Sequence, residues 1–213
     1  SRISRSDYVL NLFIASDDPG DKTTSYLLGG NADGAIVVSH HTSDTYIDRI
    51  GTAVPVVYGG RPARERVSDH YVDVDNVSGG RKATQYLIER GHRDIATITG
   101  PLDMPAGVDR LAGHREALAA AGFAPGRAED GDFTAVGGAA AMRRILDQGP
   151  APDAIFVASD LMARGAISVL SDRGIRVPQD IAIIGFDDSP AASSGAPGLT
   201  TIRQPSLQQG ELM

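Results

Sequence analysis

The sequence of 213 residues contains no cysteine, so disulfides and thiolate metal cages are excluded from the start. No apolar run approaches the roughly 18–20 residues that a membrane-spanning helix needs. Positive charge is also scarce. Twenty lysines and arginines face 27 aspartates and glutamates, giving a net charge of −7. With an isoelectric point of about 5.1, these residues make a poor surface for displacing counterions from nucleic acid. A nucleic-acid-binding domain elsewhere in a longer chain stays open. What is present, 41% hydrophobic and 22% charged residues, is the composition of an ordinary folded protein with a sizeable core.

Catalytic signatures are missing as well. No Gly-x-Ser-x-Gly elbow and no Gly-x-Gly-x-x-Gly fingerprint occurs. Gly20-Asp21-Lys22-Thr23 has an extra Asp before the Lys and lacks the upstream glycine of a phosphate loop. His40 and His41 are neighbours that point to opposite faces of an extended chain, which is poor metal geometry, and His70, His92 and His114 are scattered. No nucleophile, base and oxyanion site assembles. The sequence therefore favours a binder over an enzyme, with no metal and no cofactor.

The chain alternates strand and helix signals. Tyr8–Ala15 reads as a buried strand, and the turn residues Asp17–Asp21 lead into a helix at 22–28. Strands follow at 35–38, read as buried, then at 55–58, 71–75, 95–99, 154–157, 181–186 and 199–202. Helices fall at 44–50, 79–90, 108–121, 136–148 and 160–173, with a last one beginning near Gln208. Val108, Leu111 and Leu118 are expected on one buried face of their helix. Met162, Ala166, Val169 and Leu170 form a core stripe on theirs.

Such alternation means βαβ units and parallel sheets. The strands are too many for one compact sheet. Seams near Asp75–Gly80 and Gln204-Pro205 suggest an α/β chain of two doubly wound parallel-sheet lobes with more than one crossover. The expected division is 1–75, 76–203 and a return of 204–213 to the first lobe.

Ligands of open parallel sheets bind beyond the carboxyl ends of the strands. Those ends carry Ser39, Gly100-Pro101, Ser159-Asp160, Asp187-Asp188 and Arg203-Gln204 here. Together with Arg110 they supply carboxylates, a hydroxyl, an amide and a guanidinium, a set suited to a hydrogen-bonding small molecule such as a polyhydroxylated one. Each residue also has a plainer reading. Asp160 and Asp75 are placed to cap helices. Asp187 and Asp188 could serve only to turn the chain, Arg110 could pair with Asp103 or Asp109, and Phe133 could be core.

The ordered series of short motifs resembles the effector-binding core of lactose-repressor (LacI/GalR) family transcription regulators. It runs through Asp33-Gly34-Ala35-Ile36-Val37, Asp75-Asn76-Val77-Ser78-Gly79-Gly80, Gly91-His92-Arg93-Asp94-Ile95, Arg110-Leu111-Ala112-Gly113 and Gly131-Asp132-Phe133. It continues with Ala158-Ser159-Asp160, Gly174–Ile181, Gly185-Phe186-Asp187-Asp188 and Leu199–Pro205. The resemblance implies a periplasmic-binding-protein type I fold that holds an effector, a sugar or related metabolite, between its lobes.

The resemblance also implies roles. Arg110 would grip hydroxyls or a carboxylate, Asp187 would accept hydroxyls, Asp75 and Gln204 would touch the ligand at the crossovers, and Phe133 would stack on it. Ser159 stands where many relatives carry Asn, and Arg61 stands near an Asp-Arg pair whose Asp is missing. Ser39 and Asp160 complete the expected set. The implied protein is a cytoplasmic homodimer that binds operator DNA through an N-terminal helix-turn-helix, with no membrane partner. That helix-turn-helix, the first strand of the core and most of its first helix are expected to lie outside this sequence. An extracytoplasmic sugar-binding protein of a transporter shares the fold and is the alternative.

Overall fold

The computed structural model describes residues 7–14, 21–195 and 198–213. The turn residues expected at 17–20, together with Ala15, lie outside the described residues. The chain divides into two compact units, Asp75–Gln204 and the residues through Val74 with Pro205–Met213.

The first unit holds α1 (Asp21–Leu28), β1 (Ala35–Val38), α2 (Tyr46–Ile50), β2 (Val56–Gly59), β3 (His70–Val72) and α8 (Ser206–Leu212). Its sheet has the order β1-β2-β3, and both pairings are parallel. Leu27, Ile50 and Val54 form a small core beneath one face. The Gln209 side chain donates to the Val72 carbonyl at 2.7 Å and ties α8 to the end of β3.

Two expectations fail in this unit. Tyr8–Ile14 is not a strand. Val9 and Leu12 are 85% and 82% exposed. An apolar run becomes a strand only where a ladder partner satisfies its N–H and C=O groups, and the three-stranded ladder does not include it. Nor is β1 a buried strand, because Ile36 and Val38 are exposed while Ala35 and Val37 are half-buried. The four apolar residues in a row mimic a strand covered on both faces, yet the core cluster lies under only one.

The second unit carries α3 (Asn76–Glu89), β4 (Ile95–Thr99), α4 (Pro105–Ala120), β5 (Ala128–Asp130), α5 (Ala135–Asp147), β6 (Ala154–Val157), α6 (Asp160–Asp172), β7 (Ala182–Asp187), α7 (Pro190–Ser193) and β8 (Thr200–Arg203). The five strands are parallel in the order β5-β4-β6-β7-β8. β4 and β6 are buried along their whole length, as strands with helices on both faces must be. One core cluster packs α5 and α6 against the sheet through Met142, Ile145, Met162 and Leu170, and the other packs α3 and α4 through Leu87, Leu118 and Phe156.

The expected α4 stripe is corrected at its start. Val108 is 45% exposed, and the buried face instead runs through Gly107, Arg110, Leu111, His114 and Leu118. Two polar residues lie on that face. A polar residue is placed inside only when partners satisfy it, which apolar periodicity cannot register. β3 is also shorter than the expected 71–75, because Asp75 already caps α3 by accepting the Ser78 N–H at 2.8 Å.

The chain leaves β4 toward β5 on one side and returns to β6 on the other. This places a topological switch point at the carboxyl ends of β4 and β6, where open α/β sheets form their crevice.

Candidate functional site

Close helix contact brings Arg110 to that switch point. A Cβ on Gly80 would lie 2.2 Å from the Arg110 carbonyl oxygen, and one on Gly113 would lie 2.0 Å from the Val77 carbonyl oxygen. Only glycine at both positions lets α3 and α4 approach this closely. Arg110, on the inner face of α4, is 5% exposed and aims its guanidinium across the ends of the strands.

The guanidinium is met by groups from four other parts of the unit. Nε donates to Asn76 Oδ1 at the start of α3 at 2.9 Å. Nη1 donates to the Ala158 carbonyl just past β6 at 2.6 Å and reaches Asp187 Oδ1 at the end of β7 at 3.4 Å. Nη2 donates to Gln204 Oε1, just past β8, at 2.9 Å. Its Cζ stands 3.8 Å from the centre of the Phe186 ring and 5.6 Å from that of Phe133. A buried cation is tolerated only with such compensation, here hydrogen bonds, a carboxylate and an aromatic face.

Asp187 is the site's electrostatic feature. Its backbone carries φ 115°, in the region that disfavours side chains, and its carbonyl accepts the Gln204 N–H at 3.0 Å. Burial pushes its carboxyl up to about 6; Arg110 pulls it down and Asp160 adds to the rise. Neighbouring Asp188 pairs with Arg203 at 2.7 Å. Phe133, at φ 63°, lies over Gly100 at the end of β4, where a Cβ would meet its ring at 2.2 Å. The ring packs on the core with one side and stays partly exposed.

Arg110, Asp187, Gln204 and Phe133 are thus brought together. Three other expected residues have structural roles in the unit. Ser159 is 3% exposed and caps α6, accepting the Met162 N–H at 3.3 Å. Asp160 is fully buried and its carboxylate is occupied by Thr201 Oγ1 at 2.5 Å, the Ser189 N–H at 2.8 Å and Ser189 Oγ at 3.2 Å. It braces the loop after β7 against β8. Asp75 caps α3 with Oδ1 at the rim of the unit. Ser39, in the left-handed region at φ 55°, and Arg61 belong to the first unit, just past β1 and β2.

Sequence reasoning missed Asn76, Phe186 and the Ala158 carbonyl as partners of Arg110. Asn76 stands beside Asp75 in a motif already singled out, but its hidden amide reads as a helix start. Phe186 reads as plain core in an apolar strand, and a backbone carbonyl leaves no trace in side-chain patterns.

The described residues hold no group of three or more His, Cys, Asp or Glu placed to bind a metal. A recess in the first unit is lined by His40, His41, Asp44, Tyr58 and Arg64. It encloses about 20 Å³, room for a water molecule and not for a metabolite.

Residues 84–213 match the family model of the periplasmic binding protein-like domain. The chain is 49% identical over 199 residues to the HTH-type transcriptional regulator CelR of Thermobifida fusca, covering 91% of this chain and 58% of that protein. The solved CelR–cellobiose complex superposes with a TM-score of 0.82 at 47% identity, over 91% of this chain and 61% of that one. A LacI-family regulatory protein from Chloroflexus aggregans gives 0.80 at 33% identity, over 98% of this chain and 76% of that one. The chain spans somewhat under two thirds of the CelR sequence it matches. With two parallel α/β units and these likenesses together, the chain belongs to the periplasmic binding protein-like domain family, in the form found in LacI-family transcription regulators.

Proposed function

We propose that this chain is the effector-sensing part of a ligand-responsive transcription regulator, and that its effector is a neutral polyhydroxylated molecule of the sugar type. The observation that carries this reading is the pairing of buried Arg110 with Asp187 beside the part-exposed Phe133 ring. Donor and acceptor stand side by side with their charges already opposed. A hydroxyl can accept from the guanidinium and donate to the carboxylate at once, and the C–H face of a ring can lie on Phe133. An anionic guest would confront Asp187, and a cationic one would confront Arg110. CelR, similar over 91% of this chain, is described in complex with cellobiose, which makes that disaccharide the first probe.

A guest that binds one conformation better than another shifts the population toward it, and so changes the affinity of an attached DNA-binding domain for its operator. In this reading no bond of the guest is made or broken. The regulator is a cytoplasmic homodimer that contacts DNA through a helix-turn-helix N-terminal to this domain. Asp75, from the rim of the second unit, and Ser39 and Arg61, from the first, are proposed as additional guest contacts.

The test is thermal unfolding with cellobiose and related neutral sugars, since a guest that binds only the folded state raises the melting temperature. A concentration-dependent rise supports the reading. A rise with anionic metabolites alone overturns it.

A further inference from the structure

The partners of Arg110 are of two kinds. Asn76 and Ala158, which accept from Nε and Nη1, are 2% and 1% exposed. Phe186, against which the guanidinium lies at 3.8 Å, is 2% exposed and is itself held by α3, where a Cβ on Gly79 would meet its ring at 2.5 Å. These three belong to the frame of the unit. Asp187 and Gln204 are only half-buried. Their oxygens can turn from the guanidinium to a guest and back, whereas the buried acceptors have no solvent to exchange with.

Of the frame contacts, the one to Nε governs orientation. The Nε–H lies in the guanidinium plane and is fixed to the side-chain stem. Its acceptor therefore sets the rotation of that plane about the Cδ–Nε bond. The Ala158 carbonyl at Nη1 and the Phe186 face also resist that rotation from the outer end of the group, and Asn76 holds it at the stem. Asn76 is the first residue of α3, behind the Asp75 cap, so its own place is fixed by the helix start.

We propose that Asn76 is the positioning residue for Arg110: its Oδ1 locks the guanidinium plane so that the edge now held by Asp187 and Gln204 is the edge offered to the guest. The proposal rests on the reading of Arg110 as a guest contact for its functional consequence, but the lock itself is independent of any guest.

The experiment therefore has two arms on the complete regulator. The first follows the Arg110 Nε–H resonance by arginine-selective nitrogen NMR in the wild type, Asn76→Leu and Asn76→Asp. The second titrates each with cellobiose by calorimetry. The lock predicts slow solvent exchange of this proton in the wild type and Asn76→Asp, which keeps an acceptor oxygen. In Asn76→Leu exchange should be at least tenfold faster, and cellobiose affinity should fall at least tenfold. Affinity recovered in Asn76→Asp supports positioning. Where Asn76→Leu does not fold, Asn76→Ser takes its place. An Nε–H equally protected in all variants overturns the lock. A protected proton that is lost in Asn76→Leu without any fall in cellobiose affinity overturns the positioning role. Failure of the wild type to bind cellobiose strikes the functional reading alone, and the NMR arm then decides the lock.

Discussion

Arg110 donates to the side chain of Gln204 at 2.9 Å across a sequence separation of 94 residues. One residue belongs to a helix near the middle of the chain, and the other follows the last strand of the same sheet. The contact closes a ring of interactions around the switch point, which gathers the start of α3 and the ends of β6, β7 and β8 on one guanidinium. Such a hub ties the second unit together, and in the proposed reading it is where the guest is gripped.

Replacing Arg110 by Ala is expected to cost both stability and binding. The change strands Asn76 Oδ1, the Ala158 carbonyl and the Asp187 carboxylate, and removing one member of a buried ion pair typically costs about 3–5 kcal/mol. Arg110→Lys should recover only part of this, because an ammonium is a point charge without the planar fork. Urea unfolding of the three proteins checks the order wild type, Lys, Ala.

Asp187 predicts a pH dependence with a defined sign. In the folded protein its carboxyl is raised from 3.8 to about 6, so below that value it is protonated and cannot accept two hydroxyls as a carboxylate does. Sugar affinity should rise as pH climbs through about 6, with a proton released on binding. Its charge in the folded state opposes stability above that pH, while the neutral form is favoured below it. Calorimetry at pH 5 and pH 7.5 in buffers of different ionisation enthalpy reads both affinity and proton release. Affinity that falls with rising pH contradicts the assignment.

Asp160 should behave differently. Asp160→Ala strips acceptors from Thr201 and from the Ser189 N–H, at about 1–3 kcal/mol for buried groups left unpaired. Sugar affinity of the folded fraction should change little. A large loss of affinity without loss of stability would return Asp160 to the guest contacts.

His114 supplies a second pH effect, opposite in sign. It is 1% exposed against Phe156, with Nδ1 2.8 Å from Thr84 Oγ1 and no hydrogen-bond partner at Nε2 among the described residues. Burial, with Arg115 adding to the effect, pushes its pKa from 6.5 down to about 4. Between those values the unfolded chain binds the proton and the folded one does not, so stability is lost as pH falls from 6.5 toward 4. The full effect is at most about 3 kcal/mol. Unfolding free energies at pH 7 and pH 5 should differ less in His114→Leu than in the wild type.

What the sequence made legible follows from physics. β4 and β6 are buried on both faces, so Ile95–Thr99, rich in β-branched residues, and Ala154–Val157, an unbroken apolar run, read as strands with the bounds observed. The Met162–Leu170 stripe reads as core because α6 buries one face. β5, which is Ala-Glu-Asp, carries no apolar signal and exists because β4 offers it a ladder. Tyr8–Ile14 is the reverse case, a strong signal without a ladder.

Around the switch point, Asp187 and Gln204 were legible as polar residues at strand ends, and Arg110 and Phe133 through the motifs that carry the family resemblance. The hidden partner Asn76 was not, since satisfaction of a buried amide depends on a residue 34 positions away.

The central claim is that the Arg110–Asp187 pair is the grip for a neutral sugar. The most direct measurement is the melting temperature of the complete protein and of Asp187→Asn over a cellobiose titration. The account predicts a saturating rise in the wild type, with affinity weakened in the variant by about 1–3 kcal/mol, the scale of a lost charge-assisted hydrogen bond. Equal shifts and equal affinities in the two proteins would contradict it.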